Sequence, residues 1–188
     1  MFIKTDKFII RRPKKSDNKK LLSLYQKKEV MKFIPNSDID WDVEKVENKI
    51  TKFQFESIGI NLIEPLNGDF IGEASIFLFA EDENAYEIGF IVDDMYWGNG
   101  YGTSICNALI KYCKNNLNAK KVYARMFSDN IASQRVCSNN NMTITEPFLL
   151  MLIKKGVQWQ FLLLSKMCIH ISMQCVVTTL KKLYKLFF

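Results

Sequence analysis

Histidine is almost missing from this chain: its 188 residues include one, His170. There is no C-x-x-C pair either, so a zinc or other metal site has little to build on, and none is expected. Cysteine occurs as five scattered residues at 106, 113, 137, 168 and 175. The odd number and the spacing give no disulfide framework, and they read as free thiols in a reducing compartment. No uninterrupted apolar run reaches the about 20 residues that a membrane span needs. The opening Met1-Phe2-Ile3-Lys4-Thr5-Asp6 lacks the apolar core of a secretion signal. A cytoplasmic location is therefore expected. Acid is missing from the end of the chain: no Asp or Glu follows Glu146, while six lysines do. The residues up to Glu146 balance at 20 basic and 20 acidic, so the net charge of +6 belongs to the C-terminal segment. A nucleic-acid face on the main domain is not expected.

What is present is an ordinary globular composition, 48% hydrophobic and 24% charged, in a chain long enough for one domain with a core. Phe8 to Arg12 reads as a strand stopped by Pro13. Ser16 or Asp17 caps an expected helix over 18–28 with Leu21, Leu22, Leu24 and Tyr25 on its apolar face. Val43, Val46, Ile50 and Phe53 mark a second helix over 42–56. The period then becomes strand-like over 58–63, 70–79 and 86–92, with Asn67-Gly68 as a turn between the first two. A helix from the glycine loop to Asn116, a strand over 121–127, a helix over 131–139 and a hairpin of 148–153 with 158–164 complete the expected order. Such a pattern implies an α/β (α+β) domain with helices crossing a central sheet.

The richest stretch is Glu87-Ile88-Gly89-Phe90-Ile91-Val92, then Trp97-Gly98-Asn99-Gly100-Tyr101-Gly102-Thr103. A strand, a glycine loop and a helix N-terminus in that order form an anion site, because glycines admit a close ligand and the first helical N–H groups have no partner. The dinucleotide fingerprint G-x-G-x-x-G does not fit, since the third glycine comes one place early. The G-x-x-x-x-G-K-[ST] loop does not fit, since no lysine follows at that spacing.

The loop resembles the [QR]-x-x-G-x-[GA] element of the GNAT acetyltransferase superfamily, with Trp97 where Gln or Arg is commoner. Two further blocks carry the same resemblance. Thr5 to Pro13 with Ser16-Asp17 is similar to the opening of the ribosomal-protein N-terminal acetyltransferase branch, and Asn130-Ile131-Ala132-Ser133-Gln134-Arg135-Val136 is similar to its N-x-x-S-x-R-V. Glu87-Ile88-Gly89-Phe90 and Tyr96 to Thr103 look like its E-I-G-Y…Y-W-G-K-G-Y-A-T. The resemblance spans about Thr5 to Lys166. It implies a mixed, mostly antiparallel sheet flanked by helices, with strands splayed at a coenzyme A site, over a domain of residues 5–167.

It further implies acetyl-coenzyme A as co-substrate and an amine as acceptor, a protein N-terminus or a small molecule. The pyrophosphate would lie over Trp97, Gly98, Asn99, Gly100, Tyr101, Gly102 and Thr103. Phe90, Ile91 and Val92 would meet the pantetheine arm, with a backbone N–H of Ile91 or Val92 facing the oxyanion. Asn130 would reach the arm from across the cleft or cap its own helix; both roles are open. Glu87 is the candidate base. The superfamily's usual tyrosine acid is replaced by Cys137, with Ser133 nearby as another donor, and the usual Gly-Phe closing that block reads Asn141-Met142. Those departures suit the alternative of a non-catalytic acyl-coenzyme A binding module. Asp38, Asp40, Asp42 and Glu44, with Glu81, Asp82 and Glu83, are expected as an acidic acceptor wall suited to cationic amines. Residues 168–188 form a basic, apolar tail expected to be helical, since Val177, Leu180, Leu183, Tyr184 and Phe187 share one face. A membrane contact of this tail is not expected, and a monomer or homodimer is.

Overall fold

The computed structural model describes residues 2–35, 37, 39–56, 58–68, 70–79, 84–148 and 168–172. Two short strands, β1 (Phe2–Lys4) and β2 (Phe8–Arg11), open the chain. Thr5 closes their turn, its hydroxyl accepting the Phe8 N–H at 3.0 Å. Three helices follow: α1 (Asn18–Tyr25), α2 (Lys28–Met31) and α3 (Val43–Phe53). The start of α3 is fixed by Asp42, whose carboxylate accepts the Lys45 N–H at 2.8 Å. Strands β3 (Gly59–Pro65), β4 (Gly72–Leu78) and β5 (Ala85–Val92) then run antiparallel to one another. Helix α4 (Tyr101–Asn116) carries the chain over to β6 (Lys121–Phe127), which lies parallel to β5. A parallel neighbour requires such a crossover. Helix α5 (Ile131–Asn139), β7 (Thr143–Phe148) and β8 (Cys168–Ser172) complete the described elements.

The strands form one mixed sheet in the order β1-β2-β3-β4-β5-β6-β8-β7, antiparallel everywhere except β5–β6. Alternation along the strands sends neighbours to opposite faces. Leu62 and Ile91 join Leu21, Leu24, Val46 and Ile50 beneath α1 and α3, whereas Ile63, Ile88, Phe90 and Val92 join Ile105 and Leu109 beneath α4. The α1–α3 layer thus covers one face and α4 the other. Arg11 ties α1 to the sheet. Its guanidinium donates to Asp17 at 2.8 and 2.9 Å and to Glu64 at 2.6 and 2.7 Å.

Several boundaries differ from expectation. The helix over 18–28 stops at Tyr25, where the Gln26 N–H bonds back to Leu22 O, and α2 starts separately. Asp17 spends its carboxylate on Arg11 and the Lys14 N–H, so it is no side-chain cap. Strands β1 and β7 were not anticipated. Most importantly, Cys168–Ser172 is a strand pairing with both β6 and β7. The sheet therefore runs past the expected domain end at residue 167, and no helix starts at Cys168. The reason is local: Ile169 and Ile171 alternate at strand period, and β6 has an edge that must be paired. Beyond Phe148 the expected hairpin, and beyond Ser172 the rest of the tail, lie outside the described residues.

Candidate functional site

The site begins with the way β5 shares its backbone. The Phe79 N–H donates to Ala85 O at 2.9 Å, the Asp93 N–H donates to Ile71 O at 2.8 Å, and the β4–β5 register between them is unbroken. Main-chain groups of 85, 87, 89, 91 and 93 therefore turn toward β4, and those of 86, 88, 90 and 92 toward β6. The β5–β6 ladder runs from Ala85↔Lys121 to Glu87↔Tyr123 and stops, although β5 continues to Val92. Ile88, Phe90 and Val92 thus present backbone to a gap between parting strands. This is the splay that the sequence resemblance implied. Val92 and Phe90 have N–H groups on the open side; Ile91 has its N–H on the β4 side.

At the end of β5 the chain turns sharply. Asp93 accepts the Met95 N–H at 3.1 Å, and the indole N–H of Trp97 returns to Val92 O at 2.8 Å. Gly98 and Gly100 both have φ near +77°, the left-handed conformation that favours glycine. A Cβ at either would meet nothing within 4 Å, so the loop borders open space. Gly102 is different: its Cβ would stand 3.2 Å from Val136 Cγ2, a packing contact between α4 and α5. Ser104 is the first residue of α4 whose N–H reaches a carbonyl, Gly100 O at 3.1 Å. The N–H groups of Tyr101, Gly102 and Thr103 precede the helical ladder, at the positive end of a 16-residue helix. Tyr101 turns its ring inward against Tyr96, 5.4 Å between centroids. Asn99 donates to Trp97 O at 3.2 Å, within the loop.

Across the cleft, Asn130 caps α5 by accepting the Ser133 N–H at 3.1 Å. Ser133 is half-buried in the first turn of that helix. Cys137 is 2% exposed and packs in the core under α4. It faces Cys106, whose thiol is pushed up by their mutual hydrogen bond and by burial; Cys113 is pushed up to about 12 by burial.

Glu87 lies on the last rung before the strands part, on the same sheet face as Ile91. Its carboxylate is held by Arg125 of β6, with 3.1 Å to Nε and 2.5 Å to a terminal nitrogen. A second carboxylate on this face had no signal in the sequence. Glu73, 5% exposed, sits opposite Ile91 on β4 and accepts from the Tyr25 hydroxyl and from Lys49 at 3.0 and 3.2 Å. Burial and the neighbouring Glu73 charge push the Tyr25 hydroxyl well above its usual range. A pair of acids is tied across the layers. Lys27, between α1 and α2, bridges Asp93 at 2.8 and 2.9 Å and Asp94 at 2.7 Å. These hydrogen bonds raise Lys27 and lower Asp94. Of the expected acidic wall, Asp42 is paired with Lys45 at 2.8 Å and Asp40 lines a cavity beside Trp41. Glu44 is exposed in the first turn of α3. Asp38, Glu81, Asp82 and Glu83 lie outside the described residues. Among the described residues no group of His, Cys, Asp and Glu is arranged to hold a metal ion, and no helix is long and apolar enough to cross a membrane.

A strand opened on one edge, followed by a glycine turn into a helix N-terminus, has the shape and polarity to cradle an amide-bearing arm with a phosphate end. The acetyltransferase (GNAT) domain family matches residues 7–143, which contain this whole arrangement. The chain belongs to the GNAT acetyltransferase family. It is an N-acetyltransferase by that membership. It is 26% identical over 160 residues to YnaD of Bacillus subtilis (strain 168), an uncharacterised N-acetyltransferase, covering 85% of this chain and 92% of that one. Among solved structures it is similar to a GNAT-family acetyltransferase from Bacillus anthracis, with 22% identity, a TM-score of 0.75 and coverage of 92% and 97%. It shares its fold with the Vibrio cholerae spermidine N-acetyltransferase solved with CoA and spermine, at 12% identity, TM-score 0.73 and coverage of 89% and 95%. RimL, the ribosomal L7/L12 alpha-N-protein acetyltransferase solved with coenzyme A, matches at 15% identity, TM-score 0.73 and coverage of 92% and 97%.

Proposed function

We propose that this GNAT protein moves an acetyl group from acetyl-coenzyme A to a primary amine by direct attack. The observation that carries the reading is the open edge of β5 ending in the Gly98–Thr103 turn, since the two features suit the two halves of one ligand. The fit is physical: the main-chain groups of Phe90 and the N–H of Val92, beyond the last β5–β6 rung, match a pantetheine arm, and the space over Gly98 and Gly100 with the N–H groups of 101–103 matches a pyrophosphate. Structures of the same fold hold CoA.

In this reading acetyl-coenzyme A supplies the activated thioester. The acceptor nitrogen attacks the carbonyl carbon; the C–N bond forms, the C–S bond breaks, and the sulfur leaves as thiol. An N–H of Val92 or Phe90 faces the developing oxyanion. Glu87, at the vertex of the splay, takes the amine's proton, and Arg125 holds its carboxylate at that point. Ser133, half-buried at the start of α5, is better placed than the sealed Cys137 to return a proton to sulfur.

A second reading, a binding module without turnover, is favoured by two observations: Glu87 is engaged by Arg125, and Cys137 is inaccessible. One titration separates the two. Acetyl-coenzyme A at about 100 times its dissociation constant stabilises the fold by about 2.7 kcal/mol. Thiol release on adding an amine panel then reports transfer, and it falls about a hundredfold in Glu87→Gln. Stabilisation with no thiol release on any amine selects the binding module.

A further inference from the structure

We infer that Cys106 and Cys137 are a modification site, a thiol pair that a hydroperoxide closes into a disulfide stapling α5 to α4. The pair lies on the seam between those helices, apart from the open edge of β5. Two departures from the family pattern meet there. Cys137 stands at the usual tyrosine position, and Asn141-Met142 replaces the usual Gly-Phe. The structure gives the second departure a role. Asn141 has a φ of +57°, in the left-handed region. Its N–H donates to Ser138 O at 2.9 Å, and the Met142 N–H donates to Cys137 O at 3.0 Å. Those two bonds are the ending in which a helix turns back through a left-handed residue, and the residue after it packs on the last turn. Met142 accordingly returns beside Cys137, and its sulfur stands 4.0 Å from that of Cys106. Cys106 and Cys137 share a side-chain hydrogen bond, so three sulfurs gather in the core beneath the seam.

The seam brings the two helices close. Val136 Cγ2 fills the place a side chain would take at Gly102, 3.2 Å from its Cβ position. Cys106 is one turn beyond Gly102 on the same face, and Cys137 follows Val136. Asn140 fixes the register, its amide donating to Val136 O at 2.9 Å and to Thr103 O at 3.2 Å. The sulfurs therefore need little backbone travel to reach the bonded distance of about 2.05 Å. Their chemistry is divided. The hydrogen bond from Cys106 lowers Cys137, and the same bond, with burial, raises Cys106. Cys137 is the attacking thiolate and Cys106 the resolving thiol. The Cys137 sulfur attacks a peroxide oxygen; the S–O bond forms, the O–O bond breaks, and the other oxygen leaves and takes a proton. The Cys106 sulfur then attacks the sulfenic sulfur; the S–S bond forms, the S–O bond breaks, and the hydroxyl leaves as water with the Cys106 proton. Two thiols lose two electrons, and the peroxide is reduced. Access comes through α5, because Cys137 is the one buried residue of that nine-residue helix, so few contacts oppose its local opening. Cys113, also buried on α4 and pushed up to about 12 by burial, is the control that stays reduced.

The test treats the full-length protein with hydrogen peroxide and reads intact mass, a peptide map and thermal unfolding. The expected product has lost two hydrogen atoms, joins Cys106 to Cys137 and is restored by a thiol reductant. Trypsin resolves the bond, since cleavage after Lys111 parts Cys106 from Cys113 and cleavage after Arg135 leaves Cys137 with Met142. The oxidised protein should melt about 5 °C or more above the reduced one, because the bond closes a long loop in the unfolded chain. Cys106→Ala should stop at a sulfenic acid on Cys137 that a cyclic 1,3-dione traps, and Cys137→Ala should leave Cys106 a thiol. The map of the native protein decides the matter even if neither variant folds. A disulfide mapped to any other pair overturns the inference. So does a Cys106–Cys137 pair still reduced when Cys113 or Met142 has been oxidised, or a Cys106–Cys137 bond that lowers the melting temperature.

Discussion

Gly72 and Gly100 are both demanded by the backbone, but for opposite reasons. At Gly72 a Cβ would stand 1.9 Å from Ile91 O, a main-chain atom that cannot step aside, with φ at +159°. That contact holds β4 hard against β5. At Gly100 a Cβ would meet nothing within 4 Å, and the cost is only the left-handed φ of +77°. Gly72→Ala is expected to lose about 3 kcal/mol or to fail to fold, as overpacking against rigid neighbours does. Gly100→Ala is expected to lose about 1 kcal/mol by urea denaturation. Its affinity for acetyl-coenzyme A should fall at least tenfold, roughly 1.4 kcal/mol, because the methyl enters the space the phosphate needs. Calorimetric titration of Gly100→Ala checks this; undiminished affinity would show that the ligand does not approach the loop there.

At the scale of elements, Arg11 joins β2, β3 and the start of α1 through Asp17 and Glu64. Burial raises the Asp17 carboxyl, but the Arg11 hydrogen bonds and the Lys14 N–H outweigh it; Glu64 is lowered chiefly by Arg11. Both carboxyls titrate lower folded than unfolded, so their stabilisation is full above the unfolded values near pH 4 and drains away as pH falls through the folded ones. Arg11→Met should cost about 2–4 kcal/mol at pH 7 by leaving Asp17 buried without its cation. Urea curves of the two proteins should converge as pH is lowered from 5 to 2, and a constant gap would contradict the linkage. The Arg11-to-Asp17 spacing was legible as a family signature, and the structure explains it as a brace. The glycine loop, α4, β6 and α5 were legible too, because each has local periodicity or a cap. Strand β1, three residues long, carries too little pattern to read. Cys168–Ser172 was absorbed into a helix whose apolar face lies further on, although its own alternation is strand-like.

For the molecule as a whole, what the sequence hid is charge matching across distance. Lys27–Asp93, Lys49–Glu73 and Glu87–Arg125 join residues 66, 24 and 38 positions apart. No local window shows such pairs, so nothing in the sequence marked these three carboxylates as already matched. Lys27 matters most, because it spans the two halves of the enzyme. It leaves the α1–α2 junction, in the layer of α1 to α3, and grips the two acids that lead into the glycine turn. Without it, two negative charges would stand a few residues from the place proposed for a pyrophosphate. Lys27→Met should therefore weaken acetyl-coenzyme A binding about threefold to tenfold at low ionic strength, and by less at 0.5 M salt, where such interactions are screened. Adding Asp94→Asn should recover part of the loss, since the repulsion is reduced while the clamp stays broken. Titrations of the single and double variants at two salt concentrations check this. A loss that ignores both salt and Asp94→Asn would mean that Lys27 acts on the loop's geometry rather than on its field.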